Sequence, residues 1–316
     1  MNGKMRILIA YDGSDCARAG LDDLRRAGLP REGEALIVSV GDVLVSHSAS
    51  ISEIAGTALI SGRVTAAVAQ AQAQALQALE EARRSAAQAS NRVQAYFPEW
   101  QVRATAFAGT PSQVLIQKAD QWDADLILVG SHGRSALGRF FLGSVSRKVA
   151  TEARCSVRVA RRGVEESDDA PLRLIMGVDG SSGAERVVRA VGRRVWPDGT
   201  EVCVTAVDDG ASPTRIADIV PTEAVLMTGC KEEAAVRART MVEWAAQELR
   251  AIGLNVSVEI KEGGPRRTLI EEAKLWGADC IFVGARGFNS TLERFLAGSV
   301  STGLATNAPC SVEVVR

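Results

Sequence analysis

The chain contains one pattern twice, and this repeat constrains its fold more than any other feature. A short apolar run leads into two glycines three residues apart and then into Gly-Ser-Val-Ser; residues 126–146 carry the first copy and residues 280–301 the second. Earlier in each copy, an apolar run ends in Asp-Gly-Ser, at residues 12–14 and again at 179–181. A duplicated pattern of this length predicts two similar domains.

The offset between matching positions locates the boundaries and insertions of the two copies. It is 167 residues at the first strand, 154 at the paired glycines and 155 from Gly-Ser-Val-Ser onward. The first copy therefore carries 13 extra residues between Val40 and Gly109, and the second carries one extra between Gly287 and Gly298. The acidic stretch 163–171 ends in proline, which is typical of a linker. We predict domains at 1–162 and 172–316.

Apolar runs of strand length alternate with segments of helical period in each copy. In the first copy the predicted strands are 5–11, 35–40, 101–107, 126–130 and 155–160, and the predicted helices are 15–27, 64–95, 111–122 and 143–153. The second copy repeats this order, with a long helix at 231–252. The alternation predicts an α/β fold of two tandem doubly wound domains, each a five-stranded parallel sheet flanked by helices. In such sheets ligands bind beyond the carboxyl ends of the strands, where both glycine segments fall.

Composition narrows the class of partner. The net charge of −1 argues against a nucleic-acid partner, which usually requires a basic excess. No apolar run approaches the roughly 20 residues that span a bilayer, so no membrane partner is predicted. The first residues lead straight into a strand without an apolar leader, which favours a cytoplasmic location.

The six cysteines and two histidines show no spacing typical of a metal site, so no metal ligands are predicted. Cys155 and Cys310 open equivalent strands and are interpreted as small buried apolar residues. A disulfide or redox role is the alternative.

The glycine segments predict an anion site. Glycine permits positive φ and close approach of the backbone to a ligand, so Gly130 and Gly133 are expected to shape a turn with inward N–H groups. Gly143-Ser144 is expected to begin a helix whose free N–H groups and dipole favour phosphate. The hydroxyls of Ser144 and Ser146 could donate to phosphate oxygens, although Ser144 could instead only cap its helix.

Two better-known phosphate motifs, the P-loop and G-x-G-x-x-G after a first strand, are absent. The spacing G-x2-G-x9-G-S, the first-strand Asp-Gly-Ser and the closing Cys-Ser-Val strand together resemble the universal stress protein family, specifically its ATP-binding members. The resemblance covers nearly the whole chain, as two tandem domains, and implies ATP as the ligand, with or without Mg²⁺.

Carried over by position, the resemblance implies two sets of nucleotide contacts. The first set is Ala10, Tyr11, Asp12, Val40, Val129, Gly130, His132, Gly133, Gly143, Ser144, Val145 and Ser146. The second set is Gly177, Val178, Asp179, Val207, Val283, Gly284, Arg286, Gly287, Gly298, Ser299, Val300 and Ser301. The longer loop of the second copy departs from the family pattern and leaves occupancy of that site open.

The resemblance also implies roles within the first set. Asp12 would bind the nucleoside, Val40 would meet adenine through its backbone, and the glycine segments would hold ribose and phosphates. Asp12 and Asp179 could instead be plain turn or N-cap residues. His132 could serve as a general base, although a ribose or phosphate contact is favoured because no carboxylate partner stands beside it in the sequence. Arg139 and Arg294 could each reach phosphate or remain solvated.

These features predict a non-enzymatic, ATP-binding stress or regulatory protein in which nucleotide biases conformation or assembly. The last strands of the two copies are expected to pair within the chain, and the whole chain to form a homodimer. Two alternatives remain open: a slow ATPase or self-phosphorylating enzyme, and an interaction scaffold with vestigial pockets.

Overall fold

The structure of the chain is a computed structural model that describes residues 4–41, 58–133, 142–161, 171–208, 224–285 and 298–316. The predicted linker at 163–171 lies almost wholly outside these ranges. The strands are β1 (Met5–Ala10), β2 (Gly33–Gly41), β3 (Gln101–Ala108), β4 (Leu126–Gly130), β5 (Ser156–Ala160), β6 (Arg173–Val178), β7 (Glu201–Asp208), β8 (Asn255–Glu262), β9 (Cys280–Gly284) and β10 (Ser311–Val315).

The helices of the described residues alternate with these strands, as predicted. They are α1 (Asp15–Leu24), α2 (Ala58–Tyr96), α3 (Pro111–Gln121), α4 (Ser144–Glu152), α5 (Ser182–Gly192), α6 (Ala224–Ala251), α7 (Pro265–Trp276) and α8 (Ser299–Asn307). Both long helices begin earlier than the sequence predicted, at Ala58 and Ala224 instead of 64 and 231. Within these described ranges, no helix is long and apolar enough to cross a bilayer.

The strands form one continuous ten-stranded sheet in the order β3-β2-β1-β4-β5-β10-β9-β6-β7-β8. Each half is a parallel five-stranded sheet, as predicted, and the halves meet where β5 runs antiparallel to β10. The prediction that the last strand of each copy pairs with its counterpart within one chain is therefore confirmed. Because β5 and β10 run in opposite directions, the carboxyl ends of the strands, where ligands bind in such sheets, lie at opposite edges in the two halves.

Successive residues of β1 show how each half builds its two layers. Ile7 and Ile9 pack on one face, with Leu21 of α1 and Val93 of α2. Leu8 points to the other face and packs among residues of α3 and α4. The period of two in the strand thus divides the core between helices on both faces of the sheet.

A buried ion cluster crosses the joint between the halves. Arg158 on β5 is 1% exposed and donates to Asp23 at 2.5 Å and to Glu313 on β10 at 3.2 Å. Glu313 also pairs with Arg194 from the second half. Burial opposes the charge of Arg158, but the nearby carboxylates, Asp23 foremost, outweigh it and raise the pKa of Arg158 well above its ordinary value.

Candidate functional site

The connection from β1 to α1 is a tight turn built from Asp-Gly-Ser. The Oδ1 of Asp12 accepts from the backbone N–H of Ser14 at 2.9 Å, and Gly13 has a φ of 78°. Ser14 then caps α1, because its Oγ accepts from the N–H of Ala17 at 3.1 Å. Asp12 therefore forms the turn that the sequence offered as an alternative role, and the cap is Ser14. The turn aims the Asp12 side chain toward the carboxyl edge of the sheet.

The second copy builds the same turn from equivalent residues. Asp179 accepts from the N–H of Ser181 at 3.1 Å, Gly180 has a φ of 77°, and Ser181 caps α5 through the N–H of Ala184 at 3.2 Å. The duplication of the sequence thus extends to the hydrogen bonds at this turn.

The glycines after β4 are required by close packing. Of the two properties for which glycine was expected here, positive φ is not used, since neither Gly130 nor Gly133 is among the positive-φ glycines of the described residues. A Cβ added at Gly130 would lie 3.0 Å from the backbone carbon of Cys16, and one at Gly133 would lie 2.9 Å from Oδ2 of Asp12. These glycines let the loop after β4 lie directly against the start of α1.

The start of α4 is tied to the same loop. The N–H of Gly143, the cap residue, donates to the carbonyl of Ser131 at 2.8 Å. The hydroxyl of Ser146 donates to the carbonyl of Gly130 at 2.6 Å. Its hydrogen is thus engaged by the backbone, which corrects the expectation that it donates to phosphate. Ser144 is the first helical residue and not the cap, so the alternative role suggested for it was also wrong.

These elements enclose a cavity of about 500 Å³ at the carboxyl edge of the first half. All twelve residues of the first predicted set line it: Ala10, Tyr11, Asp12, Val40, Val129, Gly130, His132, Gly133, Gly143, Ser144, Val145 and Ser146. Its size is within the range of about 300–1,000 Å³ common for small-molecule sites. The start of α4 contributes backbone N–H groups without partners inside the helix, which is a favourable place for an anion.

One wall of the cavity, formed by α2, was not predicted from the sequence. A Cβ at Gly41 would lie 2.8 Å from the carbonyl oxygen of Ala78, so α2 passes directly over the end of β2. From there α2 presents Glu81 and Ser85 to the cavity. Ala78, Glu81 and Ser85 share one helical face, a signal that is present in the sequence. The height at which that face meets the sheet is set by packing and could not be read from the sequence.

His132 has two partners that sequence spacing did not reveal. Its Nδ1 lies 3.0 Å from Oγ of Ser131, and its Nε2 lies 3.1 Å from Sγ of Cys16. No carboxylate stands beside His132 in the sequence, but Cys16 follows Asp12 by four residues and so lies at the same edge of the sheet.

The second copy repeats one of these bonds and changes another. Gly298 donates to the carbonyl of Ala285 at 2.6 Å, which is the counterpart of the bond from Gly143 to Ser131. The hydroxyl of Ser301 donates to that same carbonyl at 3.1 Å, whereas Ser146 donates to the carbonyl one residue earlier in its loop. A Cβ at Gly177, where the first copy has Ala10, would lie 3.0 Å from Leu269, so the second copy leaves little room for a side chain at this position. Gly177, Val178, Asp179, Val207, Val283, Gly284, Gly298, Ser299, Val300 and Ser301 fall at the matching strand ends and helix start of the second half. Arg286 and Gly287, with Arg139 and Arg294, lie outside the described residues.

Searched over the part of the chain that the structure describes, no group of three or more histidine, cysteine, aspartate or glutamate residues is placed to hold a metal ion. Five cysteines in this part are free thiols. Cys310 is 4% exposed, as predicted for a small buried residue, whereas Cys155 is only partly buried. Burial raises the pKa of Cys155 to about 11.

Comparison with known proteins agrees with this architecture. The chain is 29% identical over 205 residues to a universal stress protein of Mycolicibacterium smegmatis, covering 61% of the chain and 62% of the relative. It is 34% identical over 85 residues to the universal stress protein Sll1388 of Synechocystis, covering 27% and 54%. The chain thus spans less than two thirds of the length of either relative.

Solved structures and the family model cover nearly all of the chain. A universal stress protein from Archaeoglobus fulgidus aligns over 98% of both chains with a TM-score of 0.61 and 20% identity, a likeness that concerns the fold alone. The model of the universal stress protein family matches residues 4–161 and again 172–316. With both halves matched, the chain belongs to the universal stress protein family and carries its domain twice.

Proposed function

We propose that the chain binds an adenine nucleotide, ATP, in the cavity of the first half. The observation that carries this proposal is the convergence of the twelve residues from four separate segments on one cavity. The family resemblance assigns each of these positions to the nucleotide, and nothing in the packing of the first half separates them.

The shape and chemistry of the cavity divide it into two ends. The glycine loop and the start of α4 form an end with small side chains, exposed backbone N–H groups and the positive end of the helix dipole, which suits a phosphate chain. Val38, Val40 and Leu115 line another part of the wall, and apolar side chains suit the faces of a base. A ligand that joins an aromatic base to an anionic tail would contact both the apolar wall and the phosphate-binding end.

The nucleotide acts in this proposal as a regulatory ligand and not as a substrate, in a cytoplasmic stress-response protein. A ligand that biases conformation or assembly must bind two states of the protein with different affinities. The predicted homodimer stays a prediction, and its interface has to be sought away from β5 and β10, because those strands pair with each other.

The test is nucleotide extraction from the purified full chain, followed by mass analysis and calorimetric titration with ATP and Mg²⁺. We expect an adenine nucleotide in the first site, with binding abolished by Gly143→Val and retained by Gly298→Val. A Cβ at Gly143 would already lie 3.3 Å from Cα of His132, so the larger side chain must displace the loop or enter the cavity. Absence of retained nucleotide together with no binding at about millimolar ATP would overturn the proposal.

Two further outcomes distinguish the alternatives. Steady phosphate release by the wild type that Gly143→Val abolishes would assign an ATPase. Unchanged ATP affinity in Gly143→Val would mean that the nucleotide is bound elsewhere.

A further inference from the structure

A thiol and an imidazole meet beside the cavity, in a contact that the proposed nucleotide site does not use. Cys16 lies in the first turn of α1, and His132 lies in the loop after β4. The Sγ of Cys16 is 3.1 Å from Nε2 of His132, within the range of a hydrogen bond to sulfur. The contact joins residues 116 positions apart and depends on the absence of a side chain at Gly130, which lets these segments touch.

The orientation of the imidazole is held from its other side. Nδ1 of His132 lies 3.0 Å from Oγ of Ser131, a residue only 3% exposed. With one ring nitrogen at a hydroxyl, the other faces the sulfur as proton acceptor or as donor to a thiolate. The ring is thus placed to take the proton of Cys16.

A buried guanidinium interacts electrostatically with the same thiol. Arg161, directly after β5, is 7% exposed, and its Nη2 donates to the carbonyls of Ala305 and Thr306 at 2.6 and 2.7 Å. Its Nε has no hydrogen-bond partner among the described residues. Burial lowers the pKa of Arg161, while negative charge on Cys310 and Cys16 counteracts that decrease, so a thiolate at Cys16 interacts favourably with the guanidinium.

Exposure together with a basic neighbour distinguishes Cys16 from the other cysteines whose side chains are described. Cys203, Cys280 and Cys310 are buried, with 4% exposure or less. Cys155 is partly exposed like Cys16, but burial raises its pKa to about 11, which keeps it a thiol at neutral pH. Cys16 alone among these combines access with a basic partner.

We propose that Cys16 is a peroxide-reactive modification site activated by His132. The proton of the thiol passes to Nε2, and the thiolate attacks one oxygen of hydrogen peroxide. An S–O bond forms as the O–O bond breaks, and the departing hydroxide takes the proton from the imidazolium to leave as water. The sulfur is oxidised by two electrons to sulfenic acid and the peroxide is reduced to water, so the step needs no other reactant.

The test treats the full chain with hydrogen peroxide and traps the sulfenic acid that forms with dimedone. The chain carries Cys230→Ser, because the side chain of Cys230 is not described, and peptide mass spectrometry follows each site over time. Cys155 is the matched control, a partly exposed thiol outside the pair with His132. We expect the adduct at Cys16 to form at least about tenfold faster than at Cys155.

Two variants separate activation from exposure. His132→Gln should slow the reaction at Cys16 by about tenfold and leave the rate at Cys155 unchanged. An unchanged rate at Cys155 also shows that the variant keeps its fold. Cys16→Ser should remove the adduct. Equal rates at Cys16 and Cys155, or a Cys16 rate that His132→Gln does not alter, would overturn the proposal. Because dimedone trapping needs no nucleotide, a failure to bind ATP would not overturn the proposal for Cys16.

Discussion

Arg158 lies opposite Glu313 at the centre of the β5–β10 ladder, and the two residues occupy the same position of the two repeats, 155 residues apart. The pairs on either side, Val157 with Val314 and Val159 with Val312, place the pseudo-two-fold axis of the chain at this pair. In a dimer of identical domains a residue on the axis faces itself. Two copies of the first half would bury Arg158 against Arg158, whereas the duplicated chain sets opposite charges there.

We expect Glu313→Gln to destabilise the whole chain, because Arg158 and Arg194 both lose a buried countercharge. Removing one partner of a buried ion pair costs about 3–5 kcal/mol, and the remaining contact between Arg158 and Asp23 favours the lower end. Urea unfolding measures the difference. The matched control is Glu80→Gln, which breaks the exposed pair with Arg83 and should change stability by less than about 1 kcal/mol. Equal effects of the two substitutions would show that the buried pair does not hold the halves together.

Gly130→Ala should destabilise the protein by about 1–3 kcal/mol, because the new Cβ meets the backbone of Cys16 and Ala17 at 3.0–3.1 Å. Thermal unfolding and ATP titration together should show lower stability and weaker binding. Gly192→Ala is the control, since a Cβ there has no atom within 4 Å. That change should be neutral or stabilising by up to about 1 kcal/mol. Full stability of Gly130→Ala would contradict the packing explanation for this glycine.

Ser85→Leu tests whether α2 forms part of the ligand site. The added volume enters the cavity from the wall that α2 provides, so we expect ATP affinity to fall by at least about tenfold. Gln88→Leu, an exposed position on the same helix, should leave affinity unchanged. Titration calorimetry of both variants gives the comparison, and equal affinities would remove α2 from the site.

The raised pKa of Cys155 predicts that the protein loses stability at alkaline pH. Burial raises its pKa from 9.0 to about 11, so the unfolded chain ionises first as the pH rises. The contribution is fully present below pH 9 and is lost between pH 9 and about 11. At about pH 10.5 the loss amounts to about 2 kcal/mol.

Urea unfolding of the wild type and Cys155→Ala at about pH 8 and about pH 10.5 isolates this contribution. The stability difference between the two proteins should shrink by about 2 kcal/mol at the higher pH. Parallel pH profiles would show that the Cys155 thiol ionises as easily in the folded chain as in the unfolded one.

The sequence predicted the positions that depend on local pattern, and missed those that depend on packing between distant segments. The turn at Asp12 after β1 and the start of α4 after Gly143 follow from apolar runs and turn residues, which act over a few neighbours. The contact between Cys16 and His132, and the placement of Ser85 over the sheet, depend on how closely helix and strand approach. Glycines such as Gly41 and Gly130 permit that approach, but a glycine in the sequence does not indicate which distant residue will pack against it.

The antiparallel joint of β5 and β10 also determines how the protein responds to dilution. Two separate domains pair through such strands only when their concentration exceeds the dissociation constant. Here one chain carries both strands, so each stays at a high effective concentration near its partner. The ten-stranded sheet is therefore expected to persist when the protein is scarce, and changes in its abundance alone should not alter it.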